Sequence, residues 1–364
     1  MEREKNDLCK LLVESNAIPK YIMGSSEYAE CVINTLPKNH FRGVLDEFSA
    51  NNEFCGLPII HNIHELPNDA IVLCASLWHP ILALKRLKEC GVQFIDYFSL
   101  FRCCPQLSLK DISFWEGFRQ SYQTKKSQYD DLYEMLADDE SKDVLKRVLD
   151  FRWNYNVDAM SVFTDRQKEQ YFEPFLHLDS IPYTFIDLGG FDGYTSYDFI
   201  RRCPNYSEVY FFEPVEQNIT KAKQLLSGFE RIHYVPYAVS DKKGVVSFSI
   251  AGSASTISNL SEGEVVVPTE SVDNILNQIP PKCNNHLLVK MDIEGAEELT
   301  INGMKDTIMH HHPTLAIAAY HKGGDLIDIP AQVLRIRDDY DIYLRQYTET
   351  FIETILIFVP KVKR

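Results

Sequence analysis

The stretch Phe185-Ile186-Asp187-Leu188-Gly189-Gly190-Phe191-Asp192-Gly193-Tyr194-Thr195-Ser196 passes from an apolar strand candidate, through an acid and a glycine-rich turn, into a helix candidate. Glycine takes positive φ and lets backbone approach a ligand closely. The helix N-terminus behind the turn carries about half a positive charge. An acid at the strand end, Asp187, suits a cationic ligand group such as an ammonium. Gly189, Gly190, Phe191, Asp192 and Gly193 form the candidate loop.

Three further motifs lie downstream. Val209-Tyr210-Phe211-Phe212-Glu213-Pro214 is a second strand ending in an acid, and Glu213 follows Gly193 by 20 residues. A carboxylate at that place can accept two hydrogen bonds from a ribose diol. Glu213 alone also fits a solvated strand-end acid. With the glycine loop it fits a nucleoside with a cationic tail, and S-adenosylmethionine is such a ligand. Pro236-Tyr237-Ala238-Val239-Ser240-Asp241 is a strand end whose small residues can flank an adenine ring. Val289-Lys290-Met291-Asp292-Ile293-Glu294-Gly295-Ala296-Glu297 clusters acids where an apolar strand meets a helix. Sites in open α/β sheets lie at the carboxyl ends of strands. Asp292 and Glu294 are therefore candidates for hydroxyl binding, proton acceptance or metal coordination. Helix N-terminal acids favoured by the macrodipole are the alternative, most of all for Glu297.

Around these motifs the pattern alternates strand and helix. Strands are expected at 185–188, 208–212, 232–238, 287–291, 314–319, 341–347 and 353–359. The last two are close enough for an antiparallel hairpin. A seven-stranded, doubly wound sheet with one reversed strand follows, in residues 176–364. Residues 1–105 read as a smaller Rossmann-like α/β accessory domain. Its Gly24-Ser25-Ser26-Glu27 turn fits a phosphate cradle or a plain strand-to-helix turn, and it lacks GxGxxG spacing. Residues 106–175 read as a helical connector. Within it Asp138, Asp139 and Glu140 mark a helix start, with Ser141 as the expected N-cap.

The chain of 364 residues has 45% hydrophobic and 24% charged residues, ordinary globular values. Its net charge of −15 repels phosphate backbones and anionic bilayers, which argues against a nucleic-acid or membrane-surface partner. No apolar run approaches the ~18–20 residues that span a bilayer. Residues 1–10 are charged and lack a secretory apolar region. The nine cysteines are widely spaced without a CxxC pair, and read as reduced thiols of a cytoplasmic protein. His310-His311-His312 before Pro313 reads as a helix end rather than a metal tract. No metal is expected.

Asp187 to Gly193, Phe212-Glu213-Pro214, Ala238 to Asp241 and Lys290 to Glu297 together resemble the FkbM-type methyltransferase family. Gln170-Tyr171-Phe172-Glu173, Ala319-Tyr320-His321-Lys322, Tyr343 to Tyr347 and Glu353-Thr354 extend the resemblance. It implies a class I fold dependent on S-adenosylmethionine, and O-methylation of a sugar, glycan precursor or related small molecule, as in polysaccharide biosynthesis. It implies that Gly189 to Gly193 hold the methionine end, with Asp187 near the ammonium. Glu213 and Pro214 would face the ribose, and Ala238, Val239 and Asp241 the adenine. His321, at the end of an apolar strand, is the expected general base, with Asp292 next in line. Tyr320 and Arg345 are expected to position the acceptor, or to stabilise the sheet. Ala319 departs from the acid that relatives place near the fifth strand's end. The first domain is expected to shape acceptor access or to mediate assembly, including a homo-oligomer. A nicotinamide-dependent nucleotide-sugar oxidoreductase and a catalytically silent cofactor-binding module are the competing readings.

Overall fold

The computed structural model describes residues 2–15, 17–112, 117–248, 265–281 and 286–361. The chain divides into two compact units, Met1–Glu116 with Lys146–Asp165 and Thr348–Phe351, and Gly117–Leu145 with Arg166–Tyr347 and Ile352–Arg364.

In the first unit, strands β1 (Lys20–Met23), β2 (Gly43–Leu45), β3 (Glu53–Phe54), β4 (Leu57–Ile60), β5 (Ile71–Cys74) and β6 (Gln93–Asp96) form one sheet. Their order is β3-β4-β2-β1-β5-β6, parallel apart from the β3–β4 pair. Helices α1 (Glu2–Glu14), α2 (Glu27–Thr35), α3 (Pro80–Glu89) and α4 (Tyr97–Cys103) belong to it. β5 is buried along its whole length, as a sheet covered on both faces requires. At the Gly24 turn the Ser26 side chain caps α2 by accepting from the Ala29 N–H at 3.2 Å, and its hydroxyl donates to the Ala75 carbonyl at 2.9 Å. Those bonds account for the residue as a strand-to-helix turn.

The second unit begins with α5 (Phe118–Thr124), α6 (Lys126–Met135) and the first part of α7 (Asp139–Asn154). Asp138, not Ser141, caps α7. Its carboxylate accepts from the Ser141 N–H at 2.8 Å and from the Ser141 hydroxyl at 2.5 Å. An aspartate one residue before the helix reaches the third amide, whereas Ser141 lies inside the first turn.

Strands β7 (Thr184–Leu188), β8 (Val209–Phe212), β9 (Ile232–Val235), β10 (Ala238–Val239), β11 (Gly244–Phe248), β12 (Val265–Glu270), β13 (Leu287–Met291), β14 (Thr314–Ala318), β15 (Tyr340–Gln346) and β16 (Thr354–Pro360) follow. Between them run α8 (Tyr194–Arg202), α9 (Glu216–Leu225), α10 (Val272–Gln278), α11 (Glu297–Asn302), α12 (Lys305–His311) and α13 (Asp325–Ile336). Seven strands form a sheet ordered β15-β16-β14-β13-β7-β8-β9, in which β16 runs antiparallel to both neighbours. This is the expected doubly wound sheet with a reversed strand. The predicted strand at 232–238 ends early as β9, and Ala238 with Val239 pairs instead as β10 with β12 in a separate three-stranded sheet. The chain order reverses between β7 and β13, so a crevice opens at their carboxyl ends. Beneath it, Phe185 stacks on Phe199 with centroids 4.4 Å apart, and Phe172 packs edge-on against Phe185. α12 ends at His311, with His312 in the left-handed region at φ 47°.

Candidate active site

A cavity of about 350 Å³ lies over the carboxyl ends of β13, β7 and β8 and the chain after β9. Its wall contains the loop 189–192, Glu213 and Pro214, Ala238 and Val239, Asp292 and Glu294. Three of the four motifs thus meet there through the strand order, and the third joins them beside the small sheet.

The loop needs its glycines. Gly189 has φ +80°, and a Cβ there would stand 2.2 Å from the Asp292 carbonyl oxygen. That close approach brings the β7 loop onto the chain after β13. Gly193 has φ +89°, and its Cβ would lie 2.8 Å from the Ala222 Cβ, on α9.

Glu213 fastens the loop to β8. Its carboxylate accepts from the Phe191 N–H at 3.0 Å, the Val215 N–H at 2.9 Å and the Asn218 amide at 3.2 Å. Burial nonetheless pushes its pKa up, against those donors.

Asp187 is placed differently from expectation. It is wholly buried and outside the cavity wall. It accepts from the Ser196 hydroxyl at 2.7 Å and pairs with the Lys290 ammonium at 3.3 Å. Lys290 sits directly opposite Asp187 in the β7–β13 register. It donates to the Gly189 carbonyl at 2.6 Å and lies over the Tyr171 ring. Asp187 therefore neutralises Lys290 and anchors α8 through Ser196.

At the β13 side, Asp292 and Glu294 line the cavity, and His321 lies buried behind them. The imidazole Nδ1 is 2.8 Å from Glu297, and its Nε2 is 3.3 Å from Asp292 and 3.5 Å from Glu294. Burial opposes a charge on His321, but the Glu297 hydrogen bond and three carboxylates outweigh it, raising the pKa to about 10. That direction favours the imidazolium at neutral pH, in which form His321 holds the carboxylates rather than accepting a proton. Asp292 accepts from the Tyr171 hydroxyl at 2.7 Å and the Tyr320 hydroxyl at 3.3 Å. Burial raises its pKa, yet Lys290, His321 and these hydroxyls hold it below the ordinary value. Burial pushes Glu294 up to about 7, with Asp292 and Glu297 adding to the effect against His321 and Lys290. Glu294 also adopts φ +55°, a strained left-handed conformation for a non-glycine residue.

Other expectations shift. Tyr320 is buried and directs its hydroxyl to Asp292, so it orients that carboxylate and stands outside the cavity wall. Arg345 is also outside it. Its guanidinium pairs with Asp138 at 2.6 Å and donates to the Ser141 hydroxyl at 2.8 Å, which is the stabilising alternative. Asp241 is exposed and absent from the wall, while Ala238 and Val239 line it. Among the described residues no group of His, Cys, Asp and Glu is arranged to hold a metal. Sequence reasoning assigned no role to Tyr171, Lys290, Asn218 and Val246, which line the cavity. Lys290 had a signal, a lone cation inside an apolar strand. Val246 had none, because only the small sheet brings it near.

The sequence profile of the methyltransferase FkbM domain matches residues 187–340. No protein of curated function matches this chain. The crystal structure of methyltransferase FkbM from Methylobacillus flagellatus KT is similar over 97% of this chain and 93% of its own, at 21% identity and TM-score 0.74. The S-adenosylhomocysteine-bound methyltransferase PaMTH1 of Podospora anserina is similar over 60% of this chain and 88% of its own, at 10% identity. Its TM-score of 0.34 is too low to bear on the site. The family match takes in all four cavity motifs, and the Methylobacillus structure shares the fold along nearly the whole chain; residues 187–340 are a methyltransferase FkbM domain, and the protein is a methyltransferase.

Proposed function

We propose that the protein transfers a methyl group from S-adenosylmethionine to a hydroxyl of a sugar, glycan precursor or related small molecule. The observation that carries this reading is one cavity lined by the glycine loop, Glu213 and the Asp292–Glu294 pair. The family implies this donor, and the cavity residues suit it. Glu213 suits a ribose diol, and Ala238 and Val239 suit an adenine face. S-adenosylmethionine, when bound, supplies a sulfonium methyl whose transfer to oxygen breaks the C–S bond, forms the C–O bond and leaves a neutral thioether.

The chain's own residues supply alignment and a proton acceptor. Alignment contributes ~7–11 kcal/mol at best. Glu294 takes the acceptor's hydroxyl proton, since it reaches the cavity and its pKa of about 7 matches neutral operation. Asp292 hydrogen-bonds an acceptor hydroxyl, and His321 keeps both carboxylates in place. The first unit is an accessory domain, and the chain works in the cytoplasm, where its free described cysteines stay reduced.

Calorimetry with S-adenosylhomocysteine and with NAD tests the donor, where tight binding of the first alone is expected. A panel of sugars and nucleotide sugars, followed by S-adenosylhomocysteine release, then tests the acceptor. With a turned-over acceptor, Glu294→Gln should lower kcat by ~10²-fold or more. NAD binding without S-adenosylhomocysteine binding would overturn the donor, and unchanged kcat would remove Glu294 as base.

A further inference from the structure

The β13 end of the cavity is unbalanced in charge. Four carboxylates, Asp187, Asp292, Glu294 and Glu297, are ion-paired there with two cations, Lys290 and His321. Asp187 and Lys290 are matched to each other, and Glu297 lies closest to His321. Asp292 and Glu294 remain as the pair that opens on the cavity, each about one-fifth exposed. The strand order sets where they stand. Glu213 ends β8, the glycine loop ends β7, and Asp292 and Glu294 follow β13, in that order across the sheet. Neighbouring strands are ~4.8 Å apart, so the carboxylate pair lies about two strand spacings from the ribose-binding candidate. A nucleoside held at Glu213, with its tail along the glycine loop, has its tail directed toward that pair.

Resting on the donor proposed above, we infer that Asp292 and Glu294 act as the counterion of the donor's positive charge, so that the site distinguishes the sulfonium donor from its neutral thioether product. The two ligands share adenine, ribose and amino-acid end, and differ by one methyl and one charge at sulfur. Glu213, Ala238 and Val239 face the shared parts and cannot tell them apart. Asp292 and Glu294 can. After transfer the sulfur is neutral and Glu294 carries the acceptor's proton, so both partners of the attraction are discharged together. The product is then held less tightly than the donor.

Titration offers a second readout. Glu294 is faced by Lys290 on β13, Asp292, Glu297 at the start of α11 and His321 after β14. A cation arriving beside it expels the proton that a carboxyl of pKa about 7 holds part of the time. The donor therefore releases protons on binding at neutral pH, whereas the product does not. The amino group common to both ligands cancels in the comparison.

The test is calorimetry of the full-length wild-type protein with S-adenosylmethionine, S-adenosylhomocysteine and the stable cation sinefungin. Titrations near pH 7 in two buffers of different ionisation enthalpy count the protons. The expected result is that the two cations bind about tenfold more tightly than S-adenosylhomocysteine, a difference of ~1.4 kcal/mol. They should also release roughly half a proton more. Glu294→Gln, checked for fold by circular dichroism, should reduce that preference at least about threefold while S-adenosylhomocysteine affinity stays within twofold. Asp292→Asn serves if Glu294→Gln does not fold. Equal affinities and equal proton counts in the wild type would overturn the inference while leaving the donor reading intact. An equal loss for all three ligands in the variant would do the same. Failure of every ligand to bind would overturn the donor reading, and the inference with it.

Discussion

Glu213 joins two tasks, since it ties the Phe191 amide of the loop to the start of α9 and the same carboxylate faces the cavity. Glu213→Ala should lower S-adenosylhomocysteine affinity by at least about tenfold and cost ~1–3 kcal/mol of stability, because the Phe191 and Val215 amides lose their acceptor. Calorimetry beside urea unfolding separates the two effects. Glu213 was legible as a cavity residue from its strand-end position taken together with the glycine loop 20 residues before it. Asp187 occupies the same kind of position, but its pairing was not legible, because its partner Lys290 is far along the chain and meets it only through strand register. His321 was legible as a residue at a strand end. Its protonation was not, since it depends on three carboxylates converging from β13 and α11.

Two contacts between elements are open to direct test. Gly189→Ala forces a Cβ against the Asp292 carbonyl and keeps a positive φ that alanine resists. It should cost at least ~3 kcal/mol and abolish S-adenosylhomocysteine binding, read by urea unfolding and calorimetry. Gly189 as a required glycine was visible in the motif, but the backbone it approaches was not. Arg345 ties β15 to the start of α7, with its side chain 3% exposed against Asp138. Arg345→Met should destabilise by about 3 kcal/mol while S-adenosylhomocysteine affinity in the folded protein stays unchanged. A loss of affinity without a loss of stability would return Arg345 to the site. The strands β7, β8, β13 and β14 were readable from apolar runs, since fully buried parallel strands have few alternatives. The separate β10–β12–β11 sheet was not, because β10 is only two residues long and the sheet joins segments distant in sequence.

Across the whole molecule, several buried groups hold protons more tightly when folded. His321 is raised to about 10, and burial raises Glu294, Asp325 and Glu353 to about 7. A folded state that binds more protons than the unfolded one loses stability as pH rises. The carboxyl groups act between their ordinary values near pH 4 and about pH 7, and His321 between about 6.5 and 10. The urea midpoint should therefore fall steadily from about pH 5 to about pH 9, and His321→Gln should flatten the part above about pH 7. A flat wild-type profile would mean that the imidazolium is not held by its three carboxylates. Sequence by itself determined the doubly wound sheet, the glycine loop and the strand-end acids, because backbone preference and apolar periodicity act over a few residues. Tertiary structure alone decided which acids face the cavity, which are neutralised, and which group can take a proton. Those outcomes depend on register, burial and the sum of charges from distant segments, and Coulomb interactions follow distance in space rather than distance along the chain.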